Sequence, residues 1–425
     1  MNDSTKKTDM YKWILLGFLW GAYFLQQGTR QIYNAILPQI QSDFGVDSVK
    51  IGLVATLFTV VYGICVPFSG VLGDIISRKK IVVAGVMVFS FGIFFSGAVA
   101  TIGMMVITYG LINAVGQSFY YPPSSSLLGQ AHNETRSTAL SILQTAQYAG
   151  IVICSCVAGY LADLKSVQLP DVFSGIIGSE VSGWRLPFYI FGAIGVVWAI
   201  CLAIFMKDAK QGEQGDKASF FDALKAVCTR PSALLLAVVF GLLVYVDVGF
   251  KTWMPTFMAE NFFDGKLTSA NSNFVGWVYA GSFIGVLIGS RICDKLFKKI
   301  KNIRFSLNLV GFALVTPFLL LSANTDVLAT CKIALLGYGF FKGICDSCMF
   351  ASILDVVPTR YRASGMGIMI CGGFFIGSTS STVLGLIRDT AGLTTGISSL
   401  GIFSLLNVVV LLVIIKFFFK KDYVG

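Results

Sequence analysis

The sequence predicts an all-α polytopic membrane protein, with twelve transmembrane helices arranged as two pseudo-symmetric six-helix bundles. Two observations predict this fold: the composition, and a basic loop that occurs twice. Of the 425 residues, 55% are hydrophobic and 13% are charged, and the mean hydropathy is +0.76. A chain this apolar does not suit a soluble domain.

The apolar residues fall into about twelve runs, each long enough for a bilayer, which takes roughly 20 residues per helix. Residues 1–206 are predicted to form the N-terminal bundle, residues 207–230 a hydrophilic cytoplasmic linker, and residues 231–425 the C-terminal bundle. The runs lie near residues 12–36, 50–72, 81–100, 104–129, 136–163, 186–206, 234–259, 272–294, 303–322, 330–354, 362–388 and 395–418.

Two sequence repeats support the division into halves. In the first, Asp74 precedes the basic pair Arg78-Lys79, and Asp294, 220 residues later, precedes Lys298-Lys299 at the same spacing. Each of these loops joins two apolar runs. A duplicated six-helix unit accounts for both copies.

The second repeat joins the fifth and eleventh runs. Arg136 begins the fifth run and Arg362 begins the eleventh, 226 residues later. Each arginine is followed 27 positions later by an acid, Asp163 or Asp389, at the far end of its helix. This offset agrees with two six-helix repeats.

The net charge of +10 raises the question of nucleic acid, but the charge distribution excludes it. With the N-terminus inside, most Lys and Arg residues fall on the cytoplasmic side, which is the positive-inside bias of membrane proteins. We therefore predict a monomeric protein of the bacterial cytoplasmic membrane, with both termini cytoplasmic. The lipid bilayer is its expected environment, and no nucleic acid is expected as a partner.

The turn from Gly70 to Asp74, followed by basic residues between two membrane helices, resembles the loop between helices two and three of the major facilitator superfamily. The resemblance covers nearly the whole chain, although Ile75 and Ser77 depart from the family core. It implies a transporter that works by alternating access, with a midplane site lined by helices one, four, seven and ten. It also implies gating roles for a set of charged residues: Asp74, Arg78, Arg136, Asp294 and Arg362.

Arg30 is the most unusual residue of the first run. A charge deep in a membrane helix costs a few kcal/mol, so it should face a cavity or a partner, unless it snorkels to the outer interface. Arg30 lies eight residues before Pro38, a spacing that resembles the organic-anion branch of the superfamily, in which the matching Arg binds the substrate anion. The sugar-acid symporters of that branch usually have Asp where this chain has Thr29.

Other predicted substrate ligands are polar groups near Arg30 or in the fourth and fifth runs, together with one lysine in each of the seventh and tenth runs. The double proline after Tyr121 is predicted to break the fourth run, and it resembles a segment of the same branch. The neighbouring tyrosines either bind a hydroxylated ligand or pack against a neighbouring helix. Gln147 stands where glycerol-3-phosphate antiporters have His. The predicted substrate-binding set is Arg30, Tyr33, Gln117, Tyr120, Tyr121, Gln147, Lys251 and Lys342.

The seventh and tenth runs each contain an acid and a lysine four residues apart, Asp247 with Lys251 and Lys342 with Asp346. Residues at this spacing share one helical face. The pairs are either structural or part of a proton pathway, for which Asp247 and Asp346 are the candidates. Phosphate antiporters have a second Arg where this chain has Asp247.

The intramembrane charges sum to one positive charge in excess, which suits a monoanion. The predicted function is proton-coupled symport of a small organic acid, for which a hexuronate, an aldonate or a sialate is the expected substrate. The alternatives are an organic-phosphate exchanger, a lipid-handling flippase or a non-transporting receptor. We expect no enzyme activity, no cofactor and no metal site, since the only histidine, His132, lies in a predicted loop.

Overall fold

The computed structural model describes residues 3–132, 136–164, 166–168, 180–207, 229–297, 299–358 and 362–424. Each of the predicted membrane runs is occupied by helix, so the all-α fold class is confirmed. The elements of the first half are α1 (Asp3–Ala35), α2 (Leu37–Phe44), α3 (Ser48–Ile75), α4 (Arg78–Gly97), α5 (Ile102–Met105), a π-helical segment (Val106–Asn113), α6 (Ala114–Ser118), α7 (Tyr121–Ala131), α8 (Arg136–Asp163), the antiparallel strands β1 (Ser166–Gln168) and β2 (Glu180–Ser182), and α9 (Leu186–Phe205).

The second half continues the same pattern of long helices joined by short connections. Its final membrane helix passes into a π-helical segment, Ile414–Phe418. The α-helices of this half are α10 (Pro231–Phe262), α11 (Leu267–Phe297), α12 (Ile303–Ala323), α13 (Leu328–Val356), α14 (Arg362–Gly377), α15 (Ser380–Ala391), α16 (Leu393–Val413) and α17 (Phe419–Asp422).

Within the described residues, 11 helical stretches are long and apolar enough to cross a membrane. The stretch that falls short is α1, because Gln26, Gln27, Arg30 and Gln31 lower its hydropathy. The helix nevertheless has the length of a span, as the sequence predicts. The polar part of α1 is therefore the segment that contains the predicted anion ligand, Arg30.

The chain divides into two compact units. Unit 1 comprises Met1–Val46, Leu57–Glu213 and Lys266–Ser272. Unit 2 comprises Asp47–Thr56, Gln214–Gly265 and Asn273–Gly425. The first residues of α3 therefore belong to unit 2, and the first residues of α11 belong to unit 1.

The fourth span is broken where the sequence has two prolines. Helix α7 begins at Tyr121, and Pro122 and Pro123 occupy its first turn, where the missing backbone N–H groups would have no helical acceptor. The N–H of Ser124 donates to the carbonyl oxygen of Tyr120 at 3.1 Å, so helical bonding resumes at once. The predicted proline break is confirmed.

Unit 1 is packed through small residues. A Cβ at Gly28 of α1 would overlap the Cys154 side chain and lie 2.9 Å from the carbonyl oxygen of Gly150, both on α8. Backbones this close gain van der Waals contact, which holds membrane helices together where lipid removes the hydrophobic driving force. Glycine at this crossing fixes the position of α1, and with it the position of Arg30.

Unit 2 has a buried cluster in which α10, α13, α14 and α16 meet, including Phe240, Met349, Met369 and Leu411. Large apolar side chains on other faces are exposed, as at Ile402. This pattern suits helices that pack inward on one another and outward on lipid.

The start of α10 is tied to α17. The Ser232 backbone N–H donates to the Asp422 carboxylate at 2.9 Å. The Arg230 guanidinium donates to the carbonyl oxygens of Val356, at 3.0 Å, and Asp422, at 2.9 Å. These bonds satisfy N–H groups and carbonyls that helix ends leave without intrahelical partners.

Candidate functional site

Arg30 lies against aromatic rings in unit 1. Its guanidinium carbon is 4.8 Å from the ring centre of Phe58 and 4.5 Å from that of Tyr62, both on α3. The Arg30 backbone carbonyl accepts a hydrogen bond of 2.8 Å from the Tyr109 hydroxyl. Ring faces attract a cation and stack on the planar guanidinium, so they support Arg30 at a half-buried position within a span.

A hydroxyl and an amide lie on the same side of α1 as Arg30. Tyr23 precedes Arg30 by two helical turns, and its hydroxyl donates to the Gln147 side-chain oxygen at 3.1 Å. The Tyr23 ring also packs on the ring of Tyr121, with 5.4 Å between centroids. Gln147, Tyr121 and Arg30 are all half-buried. This part of unit 1 therefore combines one positive charge with hydroxyl and amide groups.

Three other predicted ligands are enclosed by protein. Tyr33 is fully buried and stacks on Tyr109 at 4.7 Å. Tyr120 is fully buried, and its hydroxyl donates to the Leu19 carbonyl oxygen. Gln117 is also fully buried, which argues against contact between any of these three side chains and a substrate in this conformation.

Gln117 serves instead to join α6 to α1. Its side-chain nitrogen donates to the Asn113 side-chain oxygen at 3.0 Å and to the Thr29 hydroxyl at 3.4 Å. The Gln26 side chain donates to the Gln117 backbone carbonyl at 2.6 Å. Such bonds between helices satisfy the side-chain nitrogens of Gln117 and Gln26, whereas the side-chain oxygens of both residues are buried without a hydrogen-bond partner among the described residues.

Unit 2 contains a chain of four alternating charges. The Lys251 nitrogen lies 2.7 Å from one Asp247 oxygen, and the Lys342 nitrogen lies 3.5 Å from the other. Lys342 also lies 2.5 Å from an Asp346 oxygen. The predicted pairs at four-residue spacing are present, and Asp247–Lys342 joins them across α10 and α13.

The charge chain is shielded unevenly from its surroundings. The side chains of Lys342 and Asp247 are 15% and 19% exposed, whereas that of Asp346 is 34% exposed. A small cavity with apolar walls, among them Leu243 and Phe312, adjoins Asp247 and Lys342. Low-polarity surroundings strengthen interactions between charges, so Asp247 interacts strongly with both lysines, and its shorter contact is with Lys251.

Most of the predicted gating side chains lie outside the described part of the structure: those of Asp74, Arg136, Asp294 and Arg362. Arg78 is described, and it is the first residue of α4. The Ser77 hydroxyl oxygen accepts the Lys80 N–H at 3.4 Å and caps that helix. A gating role for these residues stays a prediction.

In the part of the chain that the structure describes, no group of three His, Cys, Asp or Glu residues is placed to hold a metal ion. His132 is buried rather than loop-exposed, and its Nε2 lies 2.9 Å from the Lys12 carbonyl oxygen. The ring therefore joins α7 to α1.

A model described as Major Facilitator Superfamily matches residues 19–381. The chain belongs to the major facilitator superfamily. It is an integral membrane transporter and not an enzyme, as the sequence predicts.

Two relatives illustrate which proteins this chain is similar to. Protein spinster homolog 1 of Xenopus tropicalis is 24% identical over 380 residues, which cover 83% of this chain and 68% of the relative. The hexuronate transporter of Bacillus subtilis is 23% identical over 396 residues, which cover 89% of this chain and 88% of the relative.

A solved structure shares the fold over almost the whole chain. It is the crystal structure of a bacterial homolog to the human lysosomal transporter Spinster, in an inward-facing and occupied conformation. The TM-score is 0.83 at 18% identity, and the match covers 98% of this chain and 99% of the other. The twelve-helix superfamily fold predicted from the sequence is confirmed.

Sequence reasoning missed Tyr23 and Tyr62, which the structure places beside the predicted anion ligand. Tyr23 was detectable, because its spacing of seven residues from Arg30 puts both on one helical face. Tyr62 was not, since only tertiary packing brings α3 against that face.

Proposed function

We propose that this transporter carries a small organic monoanion in symport with protons, and that the substrate is a sugar acid such as a hexuronate, an aldonate or a sialate. The observation that carries the proposal is the Arg30 guanidinium, held on the rings of Phe58 and Tyr62 within a membrane span. The planar guanidinium suits bidentate binding of a carboxylate.

The polar groups beside Arg30 favour a hydroxylated anion. Tyr23, Tyr121 and Gln147 together supply hydroxyl and amide groups that donate to and accept from sugar hydroxyls. The Tyr23–Gln147 bond orients both side chains before a ligand arrives. Tyr33, Gln117 and Tyr120 are assigned structural roles in this proposal, because they are buried among protein atoms.

Proton coupling is assigned to the charge chain of unit 2. Asp247 contacts both Lys251 and Lys342, so a proton on Asp247 would release two ion pairs together. Burial favours the neutral acid and the two lysines favour the ionised acid, so a change in exposure moves this balance. Asp346, with one lysine contact and more exposure, is the second candidate.

The relatives support the proposal without deciding the substrate. A hexuronate transporter and a spinster homolog are almost equally similar to this chain. The test therefore also includes the substrates expected of an organic-phosphate exchanger and of a lipid-handling flippase. We place the protein in a bacterial cytoplasmic membrane, as a monomer with cytoplasmic termini.

The test is uptake by the purified chain in proteoliposomes with an acidic exterior. Radiolabelled D-glucuronate, D-gluconate and N-acetylneuraminate form one arm, glycerol 3-phosphate with internal phosphate the second, and a fluorescent lysophospholipid the third. The proposal expects accumulation of a sugar acid above equilibrium, abolished by a protonophore and by Arg30→Ala. Transport confined to the second or third arm would overturn it.

A further inference from the structure

Two asparagines of unit 2, Asn308 on α12 and Asn407 on α16, are fully buried and have unpaired polar atoms. Among the described residues, neither the nitrogen nor the oxygen of the Asn407 side chain has a hydrogen-bond partner. The Asn308 side-chain oxygen also has no partner in this part of the chain. Buried polar atoms in native proteins are almost always hydrogen-bonded, so these three atoms indicate a ligand.

The two asparagines lie at the same depth in the unit, because α12 and α16 run antiparallel in a register that their contacts fix. The Ser404 hydroxyl donates to the Phe312 carbonyl oxygen at 2.9 Å. One turn away, a Cβ at Gly401 would lie 3.5 Å from the Thr316 side chain. Continuing by one turn in the other direction, forward on α16 and backward on α12, brings the two asparagines level with each other.

Asn308 is also part of a row of polar groups between α12 and α13. Its side-chain nitrogen donates to the Ser352 hydroxyl at 3.2 Å, and its backbone carbonyl accepts from the Cys345 thiol at 3.7 Å. One turn before Asn308, the Arg304 guanidinium forms an ion pair with Asp355. We name these five residues the polar seam: Arg304, Asn308, Cys345, Ser352 and Asp355.

The polar seam reaches from the charge chain to the predicted cytoplasmic end of α13. At one end, Cys345 lines the small cavity that adjoins Asp247 and Lys342. At the other end, the Asp355 side chain is 5% exposed, and its backbone carbonyl accepts the Val424 N–H at 2.9 Å. All of these residues belong to unit 2.

The unpaired atoms specify the chemistry of the ligand. They comprise one amide nitrogen, which donates, and two carbonyl oxygens, which accept. A metal cation would satisfy only the oxygens, and an anion would satisfy only the nitrogen. A direct bond between Asn407 and Asn308 would use two of the three atoms. Water both donates and accepts, and a buried water molecule typically makes about three hydrogen bonds.

We propose that Asn308 and Asn407 hold water inside unit 2, and that this water relays protons from Asp247 to Asp355. The relay rests on the proposed function, in which Asp247 carries the coupling proton. At each step one O–H bond forms as the next one breaks, so one proton leaves Asp247 and one reaches the Asp355 carboxylate. Arg304 favours the ionised form of Asp355, so the proton passes on to bulk water.

Radiolytic hydroxyl-radical labelling of the purified chain in lipid nanodiscs tests for the water itself. Radicals that form from interior water oxidise the buried side chains beside it. Met349 is buried on α13 between Cys345 and Ser352, and it should be oxidised faster than Met258, which is buried on α10. In Asn407→Leu, which is apolar and of similar size, oxidation of Met349 should fall to the level of Met258.

Equal oxidation of the two methionines in the wild type would overturn the proposal. So would oxidation of Met349 that is unchanged in Asn407→Leu. The wild-type comparison needs no variant, and it decides whether the site is hydrated even if a variant does not fold.

Uptake of radiolabelled D-glucuronate, D-gluconate and N-acetylneuraminate by proteoliposomes with an acidic exterior tests the relay. In Asn407→Leu, accumulation should slow about ten-fold, because a missing step adds roughly the free energy of one hydrogen bond to the barrier. Counterflow should be unchanged, since it requires no release of a proton. Asn407→Ser is polar and leaves room for water, so it should stay near wild type.

Asn324→Leu is the matched control, because Asn324 bonds Ser398 across the same two helices but outside the polar seam. Its accumulation and counterflow should both match the wild type. A wild type that accumulates none of the sugar acids would overturn the proposed function and the relay together. If the wild type accumulates a sugar acid, then wild-type accumulation by Asn407→Leu, or equal slowing of its accumulation and counterflow, would overturn the relay alone.

Discussion

Units 1 and 2 accommodate intramembrane charge in different ways. In unit 1 a single arginine rests on aromatic rings beside hydroxyl and amide groups. In unit 2 two lysines and two acids form a continuous chain of ion pairs. The first arrangement has one positive charge in excess, whereas the second sums to zero and would gain a net charge if one proton were added. The difference suggests a division between binding and coupling.

The sharpest test of this division is neutralisation of Asp247. In Asp247→Asn, we expect accumulation driven by a pH gradient to be lost, while exchange of internal for external sugar acid continues. The reason is that an asparagine cannot exchange a proton but still fits the site. Proteoliposome uptake and counterflow, measured side by side, check this result.

Asp346→Asn is the matched control, because Asp346 contacts one lysine and is more exposed. Its effect on accumulation should be smaller. If both variants still concentrate substrate in response to pH, coupling does not reside in unit 2.

The next largest effect should come from Arg30→Lys. A lysine cannot bind a carboxylate through two N–H groups in one plane, as the arginine guanidinium can. The dissociation constant for the transported acid should therefore rise on the order of 100-fold. Scintillation proximity binding measures this constant without transport. Arg185→Lys is the control in the same unit, since Arg185 binds Asp43 and the Gly97 carbonyl away from the candidate site. Unchanged affinity in Arg30→Lys would contradict the binding assignment.

Removal of a bridging lysine should lower stability. Lys342→Gln leaves Asp346 without its ion pair and Asp247 with Lys251 alone, and partial exposure reduces the cost to about 2 kcal/mol. Lys251→Gln should cost less, because Lys251 contacts one acid. Thermal unfolding in detergent compares the two variants.

Lys50→Gln provides a surface reference, because the Lys50–Asp47 pair is 60% and 48% exposed. Such a pair contributes about 0–1 kcal/mol. Equal melting temperatures for Lys342→Gln and Lys50→Gln would show that the charge chain is no stronger than a surface pair.

The smallest expected effect concerns the ring beneath Arg30. Tyr62→Leu removes a cation–π contact and should weaken substrate binding about three-fold, whereas Tyr62→Phe should bind nearly as well as wild type. Affinity measurements on both variants separate the ring from the hydroxyl. A larger loss in Tyr62→Phe would instead assign the hydroxyl to the substrate.

The sequence was sufficient for the features that depend on local pattern. Apolar length predicted the spans, Pro122 and Pro123 predicted the break before α7, and four-residue spacing predicted the pairs of Asp247 with Lys251 and Lys342 with Asp346. Each of these follows from covalent geometry or helical periodicity, which act along the chain.

Features that depend on how helices rotate against one another were beyond the sequence. The link between Asp247 and Lys342 joins two helices, and no spacing rule specifies which faces meet. Gln117 and Tyr120 were predicted to be ligands because they are polar residues in an apolar span, but in the structure their side chains bond to α1. Tyr62 lies next to Arg30 for the same reason.

The bond between Ser232 and Asp422 has a consequence for biosynthesis. The ribosome makes these residues 190 positions apart, so the Ser232 amide enters the membrane long before its carboxylate partner exists. During that interval the beginning of α10 must rely on water, lipid headgroups or the insertion machinery. Translational pauses before Asp422 should therefore prolong a vulnerable intermediate.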